Sequence, residues 1–289
     1  GPGLFPQYMV SKMASENVTV VLGGQGGDEI FGGYTRYIVA YLEQALKGAI
    51  HETNEEREHI VSLESILPNL PYLRNYIPMM KSFFSREAFE PMDRRYFHLI
   101  DRSKGALELY TDDFASSYYF RERVFEKFQK IFNHSDTLSY FNKMTHFDMF
   151  GSLPGLLQVE DRVTMAVSLE SRVPLLDRRI VDLISRMPAG MKFRGGELKY
   201  LLKKAVKDIL PESLQKRKDK MGFPVPLHIW SRNNASKFFK DVLLSKDARE
   251  RGIFNMAKIE SLINNEEAFG RSLWGVLSIE LWFKQFIDN

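Results

Sequence analysis

A β-branched run, Val18-Thr19-Val20-Val21-Leu22, empties into Gly23-Gly24-Gln25-Gly26-Gly27-Asp28-Glu29. Four glycines in five positions cannot hold a helix or a strand, because glycine gives up more backbone freedom on ordering than any other residue. The segment therefore predicts a short strand, apolar on both faces as in a buried parallel sheet, and then a loop through Glu29. A helix is expected from Ile30 through Tyr34, Tyr37, Ile38, Tyr41 and Leu42. Strand, loop and helix form a βα unit, and a strand's backbone groups need neighbours. No second convincing strand follows Leu22. The expectation is that the sheet partners lie upstream of Gly1 in a longer chain, irregular pairing being the alternative.

Elsewhere the periodicity is helical. Phe5, Met9 and Met13 give an i, i+4 stripe for a helix ending near Ala14–Asn17. Further helices are predicted over Asn54–Leu67, Tyr72–Phe84, Met92–Ile100, Phe114–Phe132, Leu156–Ser168, Arg179–Met187, Gly196–Leu210, Ala235–Leu244, Asn255–Ile263 and Phe269–Ile287. The last carries Leu273, Trp274, Leu277, Leu281 and Trp282 as a core-facing stripe. Three parts follow: residues 1–50 with the strand, loop and first long helix, a helical block over 51–150, and 151–289. The chain is 44% hydrophobic, and its 40 basic and 37 acidic residues are interspersed, leaving +3. That describes a globular core and gives no electrostatic stripe for nucleic acid. No apolar run approaches the roughly 18 residues that cross a membrane. With no cysteine, thiolate metal sites, disulfides and a cysteine nucleophile are excluded, and a cytoplasmic location is expected. The six histidines show no metal-ligand spacing.

A glycine loop feeding a helix N-terminus is an anion site. It lacks the Gly-Lys-Ser/Thr of a P-loop, and Glu29 stands where a dinucleotide fingerprint has its third glycine. It ends instead in Asp28-Glu29, which repel phosphate unless a divalent cation sits between. Asp28 is thus a candidate Mg²⁺ ligand, with helix capping as the alternative role.

The run Val20–Tyr37, VVLGGQGGDEIFGGYTRY, resembles the LSGDGGDELFGGY-x-RY segment of glutamine-hydrolysing asparagine synthetases. Leu153–Asp177 is similar to that family's LP-x-LL-x-x-x-DR-x-SMA-x-SLE-x-R-x-PFLD block. Lys192–Lys199 with Leu201-Leu202 resembles K-x-x-x-G-x-x-K-x-LL, and Lys218–Pro224 with Pro226 and Trp230 resembles R-x-K-x-GF-x-x-P-x-x-x-W. Four blocks stand in the family's order.

The resemblance implies a mostly α chain, the C-terminal portion of an α/β adenine-nucleotide α-hydrolase-like (PP-loop ATPase) synthetase domain in which few strands remain. It implies an ATP- and Mg²⁺-dependent ligase that activates aspartate, or another carboxylate, as an acyl adenylate. Ammonia released from glutamine by an N-terminal glutaminase domain in cis then displaces AMP. By residue-wise match, Gly24, Gly26, Gly27 and Asp28 would line the nucleotide site, Asp28 holding Mg²⁺ with pyrophosphate. Lys220 would meet the α-phosphate and leaving group, and Glu170 would orient groups at the reacting centre, with pairing to Arg172 or Arg162 as its alternative. The family's SGG-x-DS nucleotide loop and the glutaminase cysteine are not in this sequence, so these 289 residues alone are expected to be inactive. Gln25 stands where the family has an acid. A carboxylate can take a proton from an incoming ammonium and an amide cannot. Gln25 points to another amide-forming substrate, a slow enzyme or a neutral hydrogen-bonding role. The competing reading is a helical interaction or regulatory domain that has lost the chemistry.

Overall fold

The computed structural model describes residues 1–289 apart from 52–72, 86, 104, 119, 120, 216, 218–221, 223, 224, 269 and 289. The helix expected over Asn54–Leu67 lies outside the described residues, as does Lys220. The chain forms two compact units, one of Gly1–Ser11, Asp101–Arg121 and Met221–Asn289, the other of Lys12–Ile100 and Glu122–Lys220.

The first helix, α1 (Leu4–Ser15), follows its predicted span, and Phe5, Met9 and Met13 face solvent. The strand is real: β1 (Val20–Leu22) pairs in parallel with β2 (Glu170–Arg172), Val20 opposite Glu170 and Leu22 opposite Arg172. It is not the strand buried on both faces that its composition suggests. Val20 is 39% and Leu22 73% exposed, because a three-residue partner reading Glu-Ser-Arg brings no apolar surface with it.

After the loop comes α2 (Gly27–Phe31), so the helix begins three residues before the expected Ile30. It stops at Gly32, and a separate helix, α3 (Thr35–His51), carries the aromatic stripe. Tyr37, Ile38 and Tyr41 are buried on it. They pack against α4 (Ile77–Phe84), α5 (Met92–Ile100), α6 (Arg121–Phe132) and α7 (Tyr140–Phe147). Phe125, Phe128 and Phe132 recur at helical spacing and are buried, Tyr96 stacking on Phe132 at 5.5 Å between ring centroids. The long helix expected over Phe114–Phe132 is instead two, Asp112–Tyr118 and α6. Each buried large apolar side chain contributes about 1.5–3 kcal/mol, so the aromatic cluster is the main support of this unit. Arg95 is buried in the same cluster and is held by Glu43, Nε lying 2.8 Å from each carboxylate oxygen. Its Nη2 donates to the Phe83 carbonyl at 2.8 Å, which leaves little of the buried charge uncompensated.

Ser139 caps α7, its Oγ accepting the Asn142 N–H at 3.1 Å. Ser139→Ala is expected to cost about 1 kcal/mol, and Ser139→Asp to keep most of it. Urea midpoints of the two variants check this; equal midpoints would remove the cap from the account.

One π-helical turn, Asp148–Ser152, joins α7 to α8 (Leu153–Met165). Beyond β2 come α9 (Ala189–Lys192) and α10 (Tyr200–Ala205), much shorter than the expected Gly196–Leu210 helix.

The other unit is built on α11 (Ser236–Leu243), α12 (Met256–Asn265) and α13 (Ser272–Phe286) around Phe239, Phe254, Ile259 and Ile263. The predicted stripe on α13 holds for Leu273, Trp274 and Leu277 and fails for the last two residues. Leu273 and Leu277 are buried, whereas Leu281 is 40% and Trp282 50% exposed. The buried face runs Leu273, Val276, Leu277, Glu280, true helical spacing that ends on a carboxylate held by Arg251 at 3.3 Å. Trp274, half-buried, packs against the same core, and choosing residues by hydrophobicity alone passed over Glu280 for Leu281 and Trp282 on the exposed side.

Candidate functional site

The site is built where β1 and β2 run out together. Gly23 N–H donates to the Arg172 carbonyl at 2.7 Å, carrying the strand pairing one residue into the loop. Gly26 then takes φ +85°, a left-handed value that an L side chain strains to adopt, and a Cβ there would run into Leu176. With Gly27 seated against Leu175, the turn brings Asp28 onto the first turn of α2.

The N-cap position of α2 is taken by Gly26, and Asp28 lies in the first turn of the helix. Its carboxylate pairs with Lys199, Oδ1 to Nζ 2.7 Å, both side chains being partly exposed. Lys199 itself has φ +55° and precedes α10. Five residues make α2 a short helix with a weak dipole, so positive charge at this loop comes chiefly from Lys199. Neither periodicity nor charge pattern singles out Lys199; its one sequence signal is its place in the K-x-x-x-G-x-x-K stretch.

Behind Asp28 the next side chain turns inward. Glu29 is 2% exposed and accepts the Tyr34 hydroxyl proton. The Arg36 guanidinium lies 3.7 Å over the Tyr34 ring and pairs with Asp148 at 2.7 Å. Asp148, fully buried in the π-helical turn, also accepts from the hydroxyls of Tyr37 and Tyr96, the latter at 2.8 Å. Burial first, then the Asp148 carboxylate, pushes both tyrosines well above their ordinary range, so they stay protonated donors. Burial and then Glu29 push Tyr34 up in the same way. This network ties α2, and with it Asp28, to the aromatic core.

The other expected residues are placed less centrally. Glu170 opens β2 opposite Val20 and pairs with Arg172 at 2.7 Å, 53% exposed, the alternative that its sequence context left open. Gly24 is exposed and Gln25 half-buried in the loop. Sequence reasoning passed over Glu160, on α8, which is 7% exposed and accepts the Ser171 hydroxyl. Among the described residues no cluster of three or more His, Cys, Asp or Glu could hold a metal ion on its own, and no helix is long and apolar enough to cross a membrane.

One partly exposed carboxylate beside a glycine loop fits Mg²⁺ held mainly by phosphate oxygens, since that ion keeps few protein ligands when it binds a nucleotide. The asparagine synthase family model matches residues 1–284. Asparagine synthetase (glutamine-hydrolyzing) 1 of Bacillus subtilis is 30% identical over 291 residues, covering 100% of this chain and 44% of the relative. A putative asparagine synthetase (glutamine-hydrolyzing) of Mycobacterium tuberculosis is 29% identical over 306 residues, covering 100% of this chain and 42% of its own. A putative asparagine synthetase (glutamine-hydrolyzing) 2 of Methanocaldococcus jannaschii is 60% identical over 37 residues, 13% of this chain and 7% of the relative. The chain thus spans less than half the length of the first two. No solved structure matches it.

Proposed function

The chain belongs to the asparagine synthase family, and from that premise we propose that it is the C-terminal part of a synthetase domain that makes an amide through an acyl adenylate. The observation that carries this reading is the Asp28–Lys199 pair at the end of the parallel strand pair, where sheets of this kind bind ligands. The acceptor is aspartate or another carboxylate. ATP supplies the adenylyl group, and ammonia from glutamine supplies the nitrogen. When bound with the nucleotide, Mg²⁺ neutralises charge on the pyrophosphate leaving group. Asp28 would hold it. Lys199 would set its ammonium against a phosphate oxygen once Asp28 has another cation to face. Glu29, Tyr34, Arg36 and Asp148 keep the loop from moving while charge develops, which is what electrostatic stabilisation of a leaving group requires. Lys220, by its match to the family's R-x-K-x-GF block, and Glu170, by its match to SLE-x-R, are assigned to the α-phosphate and the reacting centre respectively. The nucleotide loop and the glutaminase are assigned to parts of the enzyme beyond these residues, and the reaction to the cytoplasm.

The test is product analysis of the full-length protein with ATP, Mg²⁺, glutamine and a panel of carboxylic acids that includes aspartate. AMP, pyrophosphate and one amide are expected in equal amounts. Formation of ADP, or of no AMP with any acid, would refute the assignment.

A further inference from the structure

Gly33 is glycine where its backbone does not ask for one, and Lys199 carries a side chain where the backbone favours glycine. Around the site, Gly26 and Gly32 have left-handed φ of +85° and +70°, and Gly195 and Gly196 have +58° and +76°; Gly33 does not. An L residue adopts its φ without strain. What keeps a side chain out is what lies on it: a Cβ there would come within 2.1 Å of Asp28 Oδ1 and 2.2 Å of Lys199 Cε. The Gly33 N–H also donates to the Asp28 carbonyl at 2.8 Å, so one residue grips the Asp28 backbone and makes room for its carboxylate. Lys199 is the converse case. It holds φ +55°, a conformation that costs a non-glycine residue free energy and that the surrounding structure must impose. It stands two residues after a tight turn in which Arg194 and Glu197 exchange backbone hydrogen bonds at 2.9 and 3.2 Å. Glu197 in turn holds Lys203, one helical turn beyond, at 3.0 Å. The strain thus falls on the residue whose ammonium reaches Asp28 at 2.7 Å.

We propose that Gly33 is a positioning residue: the space left by its missing side chain seats the Asp28 carboxylate and the Lys199 stem side by side, so that their head groups meet at one point. This rests on the reading above, in which Asp28 holds the divalent cation and Lys199 meets a phosphate oxygen. From that seat Asp28 changes counter-ion by a swing of the Lys199 head, with no rearrangement of the loop. A methyl group at residue 33 takes the seat away and leaves both charged groups in the protein.

Gly33→Ala in the full-length protein tests this. The atoms that a Cβ meets are the far ends of two flexible side chains, and alanine restricts the unfolded chain, so the melting temperature should stay at or above that of wild type. Carboxylate-dependent exchange of pyrophosphate into ATP should fall about 10²-fold, the loss that a misplacement of about 1 Å brings, with the half-saturating Mg²⁺ concentration raised. Lys199→Gly, which relieves the left-handed strain, should likewise hold the melting temperature and slow exchange. A second readout needs no substrate. Acetic anhydride should acetylate Lys199 about two- to fivefold faster in Gly33→Ala and in Asp28→Asn than in wild type, because the carboxylate no longer holds the ammonium. Exchange within about threefold of wild type in Gly33→Ala, a loss of exchange that comes with a lower melting temperature, or unchanged labelling of Lys199 would each overturn the proposal. Asp28→Asn separates it from the reading it rests on. A loss of exchange there with none in Gly33→Ala strikes the role of Gly33 alone, and no loss in either strikes both.

Discussion

Asp28→Asn is expected to lower carboxylate-dependent pyrophosphate exchange about 10²–10³-fold, with the half-saturating Mg²⁺ concentration raised, and to leave the melting temperature within a few degrees of wild type. The separation of the two effects follows from where Asp28 sits. Its carboxylate and the Lys199 ammonium are each partly solvated, so the pair contributes no more than about 1 kcal/mol to stability. Its neighbour Glu29, by contrast, is buried and bonded into the core network, so the backbone that presents residue 28 does not depend on the Asp28 side chain. On the proposed reading, Asp28→Asn removes a negative charge where a divalent cation and pyrophosphate would meet, which is a transition-state cost rather than a folding cost. Lys199→Met should also slow exchange, but without the shift in Mg²⁺ dependence, because it removes the phosphate's counter-charge and not the metal's. Exchange within threefold of wild type for Asp28→Asn would show that the acidic tip of the loop is only a surface ion pair.

The parts of this fold that were legible were those where local physics decides. Glycines at 23, 24 and 26 forced a loop, and the β-branched run before them forced a strand, whatever surrounded them. The aromatic positions of α3 and α6 showed the core because bulky rings at helical spacing have nowhere else to go. β2 was illegible because its three residues are Glu, Ser and Arg, a strand that exists only by pairing with β1 and has no pattern of its own. The break between α2 and α3 was missed because the apolar period continues across Gly32-Gly33, and it is the backbone at Gly32, φ +70°, that ends the first helix. The site followed the same division. Asp28 stood out as an acid in a glycine loop that feeds a helix N-terminus. Lys199, 171 positions further on, and Glu160, an acid in the middle of an amphipathic helix, acquire meaning only from what the fold sets beside them.

Lys192 is the other group whose environment outweighs its sequence, and Lys192→Met is expected to stabilise the protein at neutral pH by about 3 kcal/mol. The ammonium at the end of α9 is 5% exposed, beside the fully buried Phe193, and its hydrogen-bond partner is the neutral Asn142 Oδ1 at 3.3 Å. Burial lowers its pKa from 10.5 to about 8. An unfolded chain holds that proton up to pH 10.5 and the folded chain gives it up near 8, so between these values the folded state binds fewer protons and stability rises with pH. Below pH 8 both states are protonated, and the folded state carries the whole cost of the buried charge. Methionine fills similar volume without that charge. The variant's advantage in urea unfolding should therefore be largest and constant below pH 8, shrink through pH 8–10.5 and nearly vanish above it. A gap that stays level across that range would mean that the gain came from packing alone. No gap at pH 7 would mean that the lysine reaches water through its last methylenes, as long cationic side chains do when a route to solvent is open.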